Sequence, residues 1–163
     1  MTNTESLLTQ AVDLIGDRAA VQHGLEPERI DLTVEPAKFL ECVALLTTPR
    51  WGYLAAISGL DHGPESGRME VLYFFCNQAA VLTLRVPLAR EAPRLPSICG
   101  LIPAASLFER ELMEMFGVVC EDTPNPAHLF LSDDWPDATY PLRKDFITPA
   151  SSLSPEEPKG CPL

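Results

Sequence analysis

The sequence predicts an α+β domain, with a largely antiparallel sheet covered by helices, followed by an extended proline-rich C-terminal tail. Three observations lead there. Helical and alternating apolar periods follow one another in the order α-β-α-β-β-β-α, with three β segments in succession instead of strict βα alternation. Asn77-Gln78 joins two of those segments as a tight hairpin. Eight of the 16 prolines follow Cys120, where they disfavour further packed helix or sheet.

The first helix spans about Thr4 to Ile15, since Leu7, Leu8, Ala11, Val12, Leu14 and Ile15 recur at helical spacing, Thr4 is a capping residue and Gly16 a terminator. Arg29 to Val34 alternates polar and apolar side chains, as a strand with one wet face does. Pro36 suits a first helical turn, and Phe39, Leu40, Val43, Ala44 and Leu46 form an apolar stripe that Pro49 ends. Tyr53 to Leu60 is almost wholly apolar and reads as a central strand; Met69 to Phe75 and Ala80 to Val86 follow as strands, with a loop over Gly63 to Gly67. Pro87, Pro93 and Pro96 argue against regular structure next. Pro103 opens a last helix that runs to Phe116, with Gly117 just past its end and Ala105, Phe108, Leu112, Met115 and Phe116 as its core face. The domain is then residues 1–120, the tail 121–148, and residues 149–163 a disordered terminus.

The chain of 163 residues is long enough for one core without disulfides or metal. Its 46% apolar and 21% charged residues exclude global disorder. Twelve lysines and arginines against 23 acidic residues leave a net charge of −11. Such a chain is repelled by phosphate backbones and anionic bilayers, so no nucleic acid is expected, and a membrane only through partner proteins. Met1 to Gln10 lacks the basic and apolar regions of a signal peptide, and no stretch reaches membrane-spanning length, which predicts a soluble, cytosolic chain. The five cysteines contain no CxxC spacing and the three histidines lie far apart, so no metal or cofactor is expected in this chain.

Phosphate loops, nucleophile elbows and zinc-protease signatures are missing. Two constellations remain. Glu109-Arg110-Glu111 with Glu114 lies on the last helix, where Glu111 and Glu114 share a face and Arg110 and Glu114 are spaced to pair. An ion-paired, solvated face explains them most simply; a partner interface, or a small enzyme using Glu111 and Glu114 as acid and base, are the alternatives. Pro141-Leu142-Arg143-Lys144-Asp145-Phe146 sets a basic pair inside an acidic tail, with Arg143 and Asp145 suited to charge-assisted contacts and Leu142 and Phe146 to apolar pockets. The tail also keeps Leu129, Phe130, Leu131, Trp135 and Tyr140, which need a surface to lie on, either the domain itself or a partner. Asp61-His62 reads as a loop feature, because neighbours at a strand end point apart.

The run Glu109-Arg110-Glu111-Leu112-Met113-Glu114-Met115-Phe116-Gly117-Val118 resembles the signature helix of the thirty-kilodalton subunit of respiratory complex I, the NADH-quinone oxidoreductase. Tyr140-Pro141-Leu142-Arg143-Lys144-Asp145-Phe146 is similar to that family's second element, in the expected order. Glu70 to Tyr73, Leu84-Arg85-Val86 and Pro96-Ser97-Ile98 also match, so that the likeness runs from about Phe39 to Phe146. Between the two motifs Thr123-Pro124-Asn125-Pro126-Ala127-His128 departs from the family's His-Pro-Asp-Leu-Arg-Arg, and contacts of those residues do not carry over. The resemblance implies a cofactor-free peripheral-arm subunit on the cytoplasmic side of the membrane, packed against a hydrogenase-like large quinone-module subunit. It also implies iron–sulfur clusters, flavin and quinone in partner subunits. Membrane-bound [NiFe] hydrogenases contain a homologous subunit, which is the alternative branch.

Overall fold

In the computed structural model, which describes residues 2–22 and 28–148, the first helix begins earlier than its apolar stripe suggests. Helix α1 (Asn3–Ile15) is capped by Thr2, not Thr4: the Thr2 hydroxyl accepts from the Glu5 N–H, and the Glu5 carboxylate accepts from the Thr2 N–H at 2.8 Å. This reciprocal box satisfies two donors that the first helical turn leaves free. Thr2→Ala is therefore expected to cost about 1 kcal/mol, measured by thermal unfolding. A short 3-10 turn leads into β1 (Ala19–Gln22), a strand too brief to leave a period in the sequence.

Strand β2 (Arg29–Val34) and helix α2 (Pro36–Thr47) follow as their periods predict, with Pro36 in the first turn. Next come β3 (Tyr53–Asp61), β4 (Arg68–Asn77), β5 (Ala80–Ala89), β6 (Arg94–Pro96), helix α3 (Ala105–Phe116) and β7 (Val119–Glu121). The β4–β5 turn is Gln78-Ala79, one residue beyond Asn77-Gln78, because Asn77 pairs with Ala80 and sends its side-chain amide to the Trp51 carbonyl. Gln78 carries the positive φ of 54° that the tight turn requires.

The main sheet has the order β1-β2-β5-β4-β3, with β2–β5 parallel and the other neighbours antiparallel. Two expectations need correction. Strand β3 is at the edge, not the centre; its apolar residues answer to α3 lying over it, while Tyr53 stays 65% exposed. Pro87 sits inside β5 and Pro96 inside β6. The β2 ladder ends at Thr33–Arg85, so Pro87 lies where β5 has one side free and its missing N–H breaks no β2 bond.

All three helices cover one face. Phe39 of α2 meets Tyr73 of β4 with ring centroids 4.4 Å apart, and Tyr73 lies beside Ile57 of β3. Two residues further along the same face, Gly59 admits the Phe116 ring of α3; a Cβ there would come within 2.6 Å of it. The other face carries an ion-pair lattice: Arg85 binds Glu70 at 2.7 Å and Asp31 at 3.1 Å, Arg29 binds Asp31, and His62 reaches Glu70. Burial pushes the Asp31 and Glu70 carboxyls up, but the arginine bonds outweigh it and hold both below their ordinary values.

Candidate functional site

Helix α3 keeps two of its three carboxylates, Glu109 and Glu114, out of water. Glu109 is 1% exposed and Glu114 5%, while Phe108 and Met115, expected in the core, are only partly buried. Each buried carboxylate is engaged by a different segment of the chain. Glu109 accepts from the Ser97 hydroxyl at 2.8 Å, the Ile98 N–H at 2.7 Å and the Cys99 thiol at 3.3 Å. It thereby fixes the turn between β6 and α3.

Glu114 performs the same service for the segment after β7. Its Oε1 accepts from the Phe130 N–H at 2.9 Å, and its Oε2 from the Leu129 and Leu131 N–H groups at 2.9 and 3.3 Å. Pro124 and Pro126 keep this stretch out of helix, so its amides are free to converge on one carboxylate. Burial pushes the Glu114 carboxyl up, yet these three N–H groups and His128 Nδ1 bring it below its ordinary value. Arg110 does not pair with Glu114; it donates Nε to the Ala127 carbonyl at 2.8 Å and Nη2 to that of His128. One helix face thus takes both the carbonyls and the amides of residues 127–131. Glu114→Ala is expected to cost about 1–3 kcal/mol and to speed hydrogen exchange at Leu129 to Leu131, since three amides lose their acceptor.

A second tie lies at the end of α3. Gly117 closes the helix at φ +69°, and the Tyr140 ring occupies the space a Cβ would need. The tail then satisfies carbonyls that every helix C-terminus leaves open: the Leu142 N–H donates to Met115 at 3.1 Å, and Arg143 Nε to Phe116 at 2.8 Å. The Arg143 guanidinium also lies 4.6 Å over the Tyr140 ring.

The third tie centres on Asp61, which its neighbours in sequence mark only as a loop residue. Its carboxylate accepts from Arg90 Nε at 2.8 Å and Nη2 at 3.0 Å, from the Gly63 N–H at 2.9 Å and from the Lys144 N–H at 2.9 Å. Arg90 extends the network to Asp145. The Arg90 bonds above all hold Asp61 far below the usual carboxylate range, and Asp145 is lowered by the same guanidinium.

The two sequence motifs therefore meet in space as one seam. Arg110, Glu114, Phe116 and Gly117 line the helix side; residues 127–131 and 140–146 lie on the other, with Phe146 stacked near Trp135. Arg143 and Asp145, suited to charge-assisted contacts with the domain itself or a partner, are engaged within the chain. Lys144 contributes its amide, and its side chain is exposed. Leu142 is 53% exposed, as are Phe130 at 66% and Ile147 at 85%. Glu111 lies outside the cleft that Glu114 lines, so the two do not converge as an acid and base pair. Sequence reasoning misses Arg90 and Asp61 because no motif surrounds either. The expected disordered terminus, 149–163, lies outside the described residues.

Among the described residues, no group of three or more His, Cys, Asp or Glu is placed to hold a metal ion, and no helix is long and apolar enough to cross a membrane.

The chain is similar to known proteins over most of its length. Residues 32–152 match the family described as the respiratory-chain NADH dehydrogenase, 30 Kd subunit. The chain is 33% identical over 121 residues to formate hydrogenlyase subunit 5 of Escherichia coli, covering 72% of this chain but only 21% of that protein. It is 34% identical over 139 residues to NAD(P)H-quinone oxidoreductase subunit J of Synechococcus sp., covering 77% of this chain and 75% of the relative. Among solved structures, a chain of the membrane-bound sulfane sulfur reductase, an archaeal respiratory membrane complex, superposes with a TM-score of 0.74 at 21% identity, over 91% of this chain and 88% of that one. A trypsin-resistant fragment of Nqo5 superposes with a TM-score of 0.61 at 25% identity, over 74% of this chain and 97% of the fragment. The chain belongs to the family of the 30 kDa subunit of respiratory-chain NADH dehydrogenase.

Proposed function

We propose that this chain is a peripheral, cofactor-free subunit of a complex I-like respiratory complex, and that its work is positional. It holds a quinone-module large subunit and its iron–sulfur neighbours in register for electron transfer and coupled ion translocation. The quinone, flavin and iron–sulfur clusters belong to those partners, and the chain meets the membrane through them on its cytoplasmic side. The observation that carries this reading is the seam. It engages Arg143, Asp145 and the Leu142 and Lys144 amides internally and leaves Leu142, Ile147 and Phe130 outward on a backbone that is already fixed. Exposed apolar side chains on an ordered segment suit association with another protein, since less ordering entropy remains to be lost on binding.

The similarity to formate hydrogenlyase subunit 5 supports a second reading, the equivalent subunit of a membrane-bound [NiFe] hydrogenase. A nickel-binding pair of CxxC motifs in the co-purified large subunit selects that branch; their loss selects a quinone reductase. The experiment is affinity purification of the tagged full chain from native membranes. Co-recovery of a hydrogenase-like large subunit with iron–sulfur proteins is expected. Leu142→Ser with Ile147→Ser is expected to reduce that recovery about tenfold without moving the thermal midpoint of the free chain, as for apolar hot spots outside the core. A chain that stays alone and monodisperse in the soluble fraction contradicts the proposal.

A further inference from the structure

Between α3 and the segment 126–140 lies a cleft of about 230 Å³. That is below the roughly 300–1,000 Å³ of sites that enclose cofactors or drug-sized molecules, and suits a single inserted side chain. Met113 and Leu131 give it an apolar wall, Trp135 an aromatic one, and the acidic residues Glu114 and Asp137 border it. Trp135 is held in place: its indole N–H donates to the Thr139 carbonyl at 2.7 Å, and its ring lies 6.4 Å from that of Phe146.

Charge decides what fits. Between Arg110 and Arg143 the sequence places Glu111, Glu114, Glu121, Asp122, Asp133, Asp134 and Asp137 with no lysine or arginine among them. The Glu114 carboxylate is held by peptide N–H groups and by His128, not by a lysine or arginine. Arg110 also borders the cleft, but its guanidinium is turned to the carbonyls of Ala127 and His128. An apolar wall for a hydrocarbon stem, an indole face, the exposed Asp137 and the buried negative charge of Glu114 together favour a long cationic side chain, and a planar guanidinium above an ammonium.

We infer that this cleft receives an arginine side chain presented by a basic surface of a partner protein. The inference rests on the subunit reading above and adds the chemistry of the contact. A second copy of this chain is the poorer occupant, because each copy carries a net charge of −11 and two such copies repel.

The test is a titration of the isotope-labelled full chain with N-acetyl-arginine amide, and with N-acetyl-citrulline amide as its neutral isostere, followed by nuclear magnetic resonance near physiological salt. Saturable shifts are expected at the Trp135 indole and across residues 126–140, with the arginine derivative about five-fold tighter, as a cation on an aromatic face beside a carboxylate should be. Asp137→Asn, an exposed substitution, is expected to remove most of that preference. Equal binding of the two derivatives, no saturable shift at Trp135, or a preference unchanged in both Asp137→Asn and Trp135→Leu would overturn the assignment. Those outcomes concern the cleft alone; loss of the subunit reading is seen instead in the membrane purification.

Discussion

Asp61→Ala is expected to lower the unfolding free energy by about 3–5 kcal/mol, the cost of stranding a buried charge. Arg90 is 7% exposed and would keep only Asp145, itself half in solvent, as a partner. The Gly63 and Lys144 amides would lose their acceptor at the same time. Urea unfolding measures the loss; a change under about 1 kcal/mol, the size found for exposed pairs, would mean that the network is solvated. The same geometry fixes a pH dependence. Because the folded carboxyl titrates below its unfolded value of 3.8, its contribution is complete above about pH 4 and is lost as pH falls from there toward the folded value. Acid unfolding of the parent chain is expected to be steep in that window and flatter for Asp61→Asn.

Gly117→Val is expected to be the second large loss, and to fall mainly on the seam. The left-handed backbone at φ +69° costs a non-glycine residue about 1–2 kcal/mol. Forcing a branched side chain into the volume of the Tyr140 ring adds about 1–3 kcal/mol. The cheaper response is for Tyr140 to leave, taking with it the Leu142 and Arg143 bonds to the helix end. Limited proteolysis checks this: cleavage between residues 121 and 148 should accelerate well before the sheet loses its far-ultraviolet signal. Arg143→Ala should act in the same direction more weakly, by loosening the seam and not by removing a direct partner contact.

The helices were legible because their ends are chemically marked. Pro36 begins one, and Gly16 and Gly117 close two others with the positive φ that glycine alone adopts without strain. Strand existence was legible from alternation, but position in the sheet was not. Tyr53 to Leu60 reads as central because it is apolar on both faces, and nothing local reveals that α3 rather than a neighbouring strand covers it. Pro87 shows the converse: a residue that breaks a central ladder is tolerated once β2 has ended, which depends on where another strand stops.

The site was legible as two motifs and illegible as one seam. Glu109 and Glu114 look like a wet helix face because charge normally marks solvent, and their burial depends on amides that lie elsewhere in the chain. Asp61 meets Arg90 after 29 residues and Lys144 after 83, so no window of sequence holds the network. The resemblance to a family supplied both motifs in the right order. It did not say that they bind each other.

The most direct test of that pairing is hydrogen exchange on the isolated full chain, read by mass spectrometry over residues 127–131 and 142–146. The seam predicts slow exchange at Leu129, Phe130, Leu131, Leu142 and Lys144 with no partner present, and its loss at the first three in Glu114→Ala and at Lys144 in Asp61→Asn. Exchange at the rate of an unstructured peptide in the free chain, with protection only in the purified complex, would contradict it and return the whole segment to the partner's surface.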